Sequence, residues 1–269
     1  MKLGKLLLIS LLPLALAGCK NKDDKERQTD EPVVVDPDQT VESIEEKDHK
    51  LIPSYVVNRL NEYTSYKSVT TGSTISSGVI KVTQTIDVTS IKSEYSYTKN
   101  ESHSSIVNTV HEAYFHDSKS VYRDKDSGNF STSSLDDYLS IYGSYAFSNS
   151  LEGYSVKEDA IVSVTKLNND ENGKYVFFVV FDNEKATDNV KIQMKKIGGL
   201  DDYPTFKLIE MTVVISNDFT LSNIFLHSKY NAKKVLKTEC EQSYKVSFSN
   251  YNEEIDVPNL DLVKDLFNV

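Results

Sequence analysis

Apolar and polar positions along the chain follow two different periods. Ile80, Val82, Ile86 and Val88 share one parity while Lys81, Thr83, Thr85 and Asp87 take the other, the alternation of an antiparallel strand with one dry face. Similar runs predict strands over 92–103, 106–116, 119–124, 155–166, 174–182, 205–216, 219–231 and 236–250. Ile209, Met211 and Val213 share one face of the 205–216 strand, and Tyr244, Val246 and Phe248 share one of the last. Tyr175–Phe181 is apolar on both parities and predicts a central strand covered on both sides. Three helices are predicted, two by helical spacing and one by its cap. Val56, Leu60 and Tyr63 follow Pro53-Ser54 and predict a helix over 54–65. Ser133 and Ser134 each have an aspartate three residues on, a capping-box arrangement that starts a helix over 134–142, before Gly143. Ala186, Val190, Met194 and Ile197 form the stripe of a third helix over 184–197. Turns fall at Asp126-Ser127-Gly128, Asn172-Gly173 and Asn217-Asp218. No period of 20 to 50 residues repeats, which excludes a solenoid or propeller.

The start of the chain has a different pattern. Lys2 and Lys5 precede an apolar stretch from Leu6 to Leu16, followed by Ala17-Gly18-Cys19. The stretch is about a dozen residues, against the ~20 that span hydrocarbon, so it reads as an export signal over residues 1–18. Its ending resembles the lipobox of bacterial lipoproteins, which implies a lipid thioether on Cys19 and a domain tethered to the extracytoplasmic side of a bacterial membrane, in the cell envelope. From Lys20 to His49 the sequence holds eleven acidic residues together with Pro32 and Pro37, too little apolar surface to offset ordering entropy. Residues 19–49 therefore read as the lipidated cysteine and a disordered stalk, and 50–269 as the folded domain.

Charge and cysteine usage narrow the partners. The whole chain carries a net charge of −10, and loss of the signal makes it more acidic still. Nucleic-acid binding, which needs clustered Lys and Arg, is excluded as an expectation. Adhesion to anionic lipid by charge is disfavoured too, leaving the acyl anchor on Cys19 as the membrane attachment. With Cys19 lipidated, Cys240 has no partner within the chain, so burial and not disulfides must hold the fold.

The sequence offers few groups for chemistry. His111-Glu112 and His116 approach a zinc-protease pattern, but the histidines are five apart and on a strand face opposite ways. Asn168, Asp170 and Asn172 imitate the opening of a calcium loop, yet its twelfth position is Val179 where a bidentate glutamate is required. Ser163 and Lys166 have the spacing of an acyl-serine pair that works on a helix, whereas this segment reads as strand. No metal, no cofactor and no catalytic residue are expected.

The element order ends in Phe248-Ser249-Asn250-Tyr251-Asn252-Glu253-Glu254-Ile255-Asp256-Val257-Pro258. This phrase, an aromatic strand end and a polar turn before Ile-x-Val-Pro, resembles the C-terminal signature of the lipoprotein-carrier superfamily of LolA, LolB and LppX-like proteins. The resemblance implies an α+β fold, a strongly curved antiparallel sheet (half barrel) covered by two or three helices, and a non-catalytic domain that holds a lipid or other hydrophobic small molecule. Candidate cavity residues are Ile80, Val82, Tyr95, Tyr97, Phe177, Phe181, Ile209, Met211, Val213, Phe225, Tyr244, Val246 and Phe248. The alternative is a scaffolding lipoprotein of the same fold with no ligand cavity; oligomeric state is not determined by sequence. Cys19→Ala is expected to release the protein from membranes, measured by fractionation; a variant that stays membrane-bound would refute the lipobox reading.

Overall fold

The computed structural model describes residues 39–78, 80–105, 108–123, 128–142, 153–234 and 236–268. Cys19, the export signal, most of the stalk, Asp126-Ser127 of the expected turn and Gly143 lie outside the described residues.

The strands are β1 (Tyr66–Ser77), β2 (Lys81–Lys92), β3 (Ser96–Ser104), β4 (Asn108–His116), β5 (Lys119–Arg123), β6 (Phe130–Ser134), β7 (Ile161–Lys166), β8 (Tyr175–Phe181), β9 (Thr205–Ile215), β10 (Leu221–Lys234) and β11 (Leu236–Ser249). All pair antiparallel in one open sheet of 11 strands, in the order β6-β5-β4-β3-β2-β1-β11-β10-β9-β8-β7. Two meanders thus run outward from a common seam, β1 against β11. Together with its helices this is the α+β half barrel that the resemblance implies.

Three helices follow the sequence pattern closely: α1 (Ile52–Glu62), α2 (Leu135–Tyr142) and α3 (Asp188–Gly198). α1 has Pro53 near its start, where the missing N–H costs nothing. At the start of α2, Ser134 Oγ accepts the Asp137 amide at 3.0 Å and donates to its carboxylate at 2.7 Å, the capping expected there. α3 begins four residues later than its stripe suggests, because Asp182 Oδ1 accepts the Glu184 and Lys185 amides, each at 2.9 Å, and turns the chain first. It ends at Gly199, with φ +56°.

Register sorts the side chains onto two faces. On the inner face, Phe177, Val179, Phe181, Ile209, Met211, Val213, Ile224, Leu226, Val246 and Phe248 join Ile52, Val56 and Leu60 of α1 and Val190 and Met194 of α3 in the main core. Farther round the same face, α2 closes over β4 and β5 through Tyr138, Ala113 and Phe115. The outer face of β2–β5 is covered differently. The chain beyond β11 crosses it and puts Val263 of α4 (Leu260–Val263) and Phe267 against Ile91, Tyr97, Tyr114 and Val121. That closing segment brings Ile255 and Val257 into the same cluster.

The structure departs from the sequence reading in several places. β1 has no apolar alternation, since its inner positions are Ser68, Thr70, Gly72, Thr74 and Ser76. The β7 strand begins only at Ile161, after a 3-10 turn over Glu158–Ala160. β8 lies second from the sheet edge, not at the centre, and Val176, Phe178 and Val180 on its outer face are half-buried. The folded unit also starts before residue 50. 3-10 turns at Val41–Ser43 and Glu46–Leu51 lie on the domain, with Val41 and Ile44 in the main core and the Val41 amide bonded to Asn217 O at 2.8 Å. Two isolated apolar residues sufficed because the core supplied the remaining surface.

Two expectations follow. A Cβ on Gly72 would lie 2.3 Å from Ser243 O and 2.4 Å from Tyr244 Cδ1, so Gly72→Ala is expected to destabilise the domain by about 2 kcal/mol, read from a denaturant midpoint. His111 is half-buried beneath α2 with Nε2 2.6 Å from Tyr138 OH, and desolvation there lowers its pKa to about 4 from 6.5. The unfolded chain therefore takes up a proton, as pH falls from 6.5 toward 4, that the folded one refuses, and stability drops over that window. Relative to His111→Gln, the parent is expected to lose about 2 kcal/mol between pH 6.5 and 5.

Candidate functional site

The inner face is the best candidate site, because it combines apolar walls with buried polar groups. The β7–β11 half presents Phe, Val, Ile, Met and Leu under α1 and α3, and α2 with β4 and β5 makes the second apolar wall. Between them β1, β2 and β3 contribute a strip of small side chains. Ser68, Thr70, Thr74, Ser90, Thr98 and Ser102 are all buried there, and Gly72 sits among them. Ile86 and Val88 are the strip's fully buried aliphatic residues.

Buried polar atoms on this face are mostly matched within the sheet. The Tyr244 ring lies over Gly72 and its hydroxyl pairs with Thr74 Oγ1. Gln242 Nε2 donates to Tyr230 OH at 2.9 Å and its Oε1 accepts from Ser228 Oγ at 3.1 Å. Gln84 Nε2 donates to Ser102 Oγ, and Ser90 pairs with Thr98 at 3.2 Å. Burial pushes the Tyr230 and Tyr244 hydroxyls and the Cys240 thiol up, which keeps all three neutral. Asn100 is the exception among the strand residues, as Tyr154 OH is among the groups packed over them. Asn100 stands between Val88 and His111 in the register, is 2 % exposed, and neither its Nδ2 nor its Oδ1 has a hydrogen-bond partner among the described residues.

Charge is segregated. Asp87, Lys99, Glu101, Glu112, Glu210, Lys229, Glu241 and Lys245 all fall on the outer face by register. On the inner face the described charged side chains stand at strand ends, Lys92 over the Tyr66 ring at 5.6 Å and Lys166 over Tyr175 at 4.9 Å.

The cavity residues named from sequence divide accordingly. Phe177, Phe181, Ile209, Met211, Val213, Tyr244, Val246 and Phe248 come together on the inner face. Val82 shares that face and is half-buried, and Ile80, just before β2, is exposed. Tyr97 points to the outer face, bonded to Glu112 at 3.2 Å, and Tyr95 stacks on His116 at 4.1 Å under the C-terminal segment. Phe225 is exposed on the outer face beneath Lys245, lining an open groove of about 440 Å³ with Phe178, Thr212, Glu210 and His227. The residues missed were the polar ones, Thr74, Gln84, Asn100, Ser102, Ser228 and Gln242. Ser, Thr, Asn and Gln in an alternating strand read as its wet side, and only pairing parity with Ile86 and Val246 could have flagged them.

The constellations weighed for chemistry resolve into structure. His111 and His116 face opposite ways, to Tyr138 and to Tyr95. Asp170 Oδ1 accepts the Asn172 and Lys174 amides at 2.9 and 2.8 Å and Gly173 has φ +77°, which makes a hairpin turn. Among the described residues no group of three His, Cys, Asp or Glu side chains is placed to hold a metal ion, and no helix is long and apolar enough to cross a membrane.

No family model matches the chain, and no curated protein matches it in sequence. Among solved structures it is similar to LprF from Mycobacterium bovis, with 11% identity over 79% of this chain and 97% of that one and a TM-score of 0.40. It is similar also to a putative outer membrane lipoprotein-sorting protein domain from Vibrio parahaemolyticus (9% identity, 84% of this chain and 100% of that one, TM-score 0.29). A third is a LolA superfamily protein from Nitrosomonas europaea (11% identity, 75% of this chain and 90% of that one, TM-score 0.27).

Proposed function

We propose that this is a lipid-anchored, extracytoplasmic binding protein that holds a lipid or similar hydrophobic molecule against the inner face of its half barrel, without catalysis. Cys19 carries the anchor, and the residues after it hold the domain off the bilayer. The observation that carries the reading is the floor of the inner face. Two strands, β1 and β3, present mainly Ser, Thr, Gly and Asn, and β2 between them adds Ile86 and Val88, all lying between two apolar walls. Small side chains keep this floor low between walls of Phe, Met and Tyr, and an acyl chain lying along it would add apolar contact that they do not supply. Each methylene it buries contributes about 0.8 kcal/mol, so a chain of ordinary length binds firmly with no reactive group at all. The apolar residues named from sequence and gathered on this face, Met211, Val213, Val246 and Phe248 among them, would form one side of that site.

The test is to purify the full lipoprotein from bacterial membranes in mild detergent, extract it with organic solvent and identify the released lipid by mass spectrometry. About one lipid per chain is expected, beyond that carried by an unrelated lipoprotein prepared alongside. Ser102→Phe, which fills the floor, is expected to cut this roughly tenfold with the circular dichroism unchanged. A wild-type protein that releases no more than the control contradicts the proposal.

A further inference from the structure

We infer that the bound molecule is an uncharged amphiphile whose head both donates and accepts hydrogen bonds, an acylglycerol-like hydroxyl and ester rather than a fatty-acid or phosphate anion, and that Asn100 receives that head. The inference rests on the lipid-binding reading above and names the ligand class for the same face.

Two independent observations carry it. The first is the orphaned amide. Asn100 lies on the floor strip, 2 % exposed, with donor and acceptor both unmatched among the described residues. Its neighbours on β2 and β3 are satisfied, Ser90 by Thr98 and Ser102 by Gln84. A buried amide left unmatched disfavours the conformation that buries it. A head group carrying a hydroxyl beside a carbonyl satisfies Nδ2 and Oδ1 together, so its arrival removes a cost the unliganded conformation carries. A hydrocarbon end placed there would leave that cost standing, which orients the ligand with its head toward β3 and its tail toward β9–β11.

The second observation is the segregation of charge. Val88 and His111 flank Asn100 across the strands, and Ile86, Ser90, Thr109 and Ala113 are its diagonal neighbours on the face. None of these carries a fixed charge. His111, the titratable member, is occupied by Tyr138 OH at 2.6 Å, stacked on the Tyr138 ring and tilted against that of Tyr142, and Glu112, beside it in sequence, points to the other face toward Arg123, Tyr97 and Tyr114. An anionic head delivered to this spot would be desolvated with no cation to meet it, a loss that its tail cannot recover because the neutral analogue has the same tail. Lys92 and Lys166 stand at strand ends and are each engaged over a tyrosine ring.

The experiment uses the intact lipoprotein in phosphatidylcholine vesicles at pH 8, containing in separate samples a diazirine-bearing monoacylglycerol and the diazirine-bearing fatty acid of the same chain length. After irradiation, crosslinked peptides are mapped and quantified by mass spectrometry. The monoacylglycerol is expected to label β9–β11 peptides at least about tenfold more than the fatty acid does. Asn100→Leu is expected to lower monoacylglycerol labelling by about tenfold and to leave fatty-acid labelling unchanged, with thermal stability equal to or above that of the parent. Asn100→Gln, which keeps both hydrogen-bonding atoms, should retain part of the preference. Equal labelling of β9–β11 by the two probes, or an Asn100→Leu variant that keeps the preference, overturns the head-group assignment while leaving lipid binding standing. Absence of labelling on those strands by either probe overturns both.

Discussion

The fold depends on one close contact, the Tyr244 ring laid directly on Gly72 where β1 meets β11. These strands come from near the two ends of the folded chain, and their pairing is the seam through which both meanders become one sheet. No side chain larger than hydrogen fits at 72, because the tyrosine occupies the space a Cβ would take. The ring's hydroxyl then reaches Thr74 two residues along the same face, so the contact fixes register as well as distance. Slipping β1 by one residue would replace glycine with Thr71 or Ser73 beneath the ring and turn every inner side chain of the strand outward.

Once the seam is set, the two faces of the sheet take on different chemistry. The outer face carries the ion pairs, such as Lys207 with Glu239 and His227 between Glu210 and Glu241 at 3.4 and 2.9 Å. Exposed pairs of this kind contribute little to stability; their effect is to keep charge out of the interior. The inner face is held by burial of aromatic and aliphatic groups in the β7–β11 half, with hydroxyl and amide pairing both there, around Gln242, and in the β1–β3 half. The low dielectric that makes these pairs worthwhile makes an unmatched amide costly, and Asn100 carries that cost at both of its amide atoms.

The C-terminal segment completes the arrangement from behind. Val263 and Phe267 seal the outer face of β2–β5 against Tyr97, Tyr114 and Val121. Their presence explains why two aromatic residues that alternate correctly for an inner face, Tyr95 and Tyr97, belong to a second cluster instead. A sheet sandwiched between helices on one side and its own tail on the other has two dry faces over part of its width, so apolar alternation alone does not say which one a residue joins.

What the sequence determined by itself was whatever is written in local periodicity and local hydrogen bonding. The strands with alternating Ile, Val and Phe, the three helices, the Ser134 cap and the Asn172-Gly173 hairpin are all legible, because each owes its form to residues within a few positions. That eight of the residues named from sequence share the inner face was legible for the same reason, as they lie on strands whose apolar parity is plain. Only the tertiary structure decided that Ser68, Thr70, Gly72, Thr74 and Ser76 form an inward strand face, buried at Ser68, Thr70 and Thr74, that Tyr97 and Phe225 point away from the helices, and that Asn100 is enclosed. A serine or asparagine on a strand is polar wherever it stands, and its burial is set by which distant strand or helix lies over it, a property of pairing across more than a hundred residues.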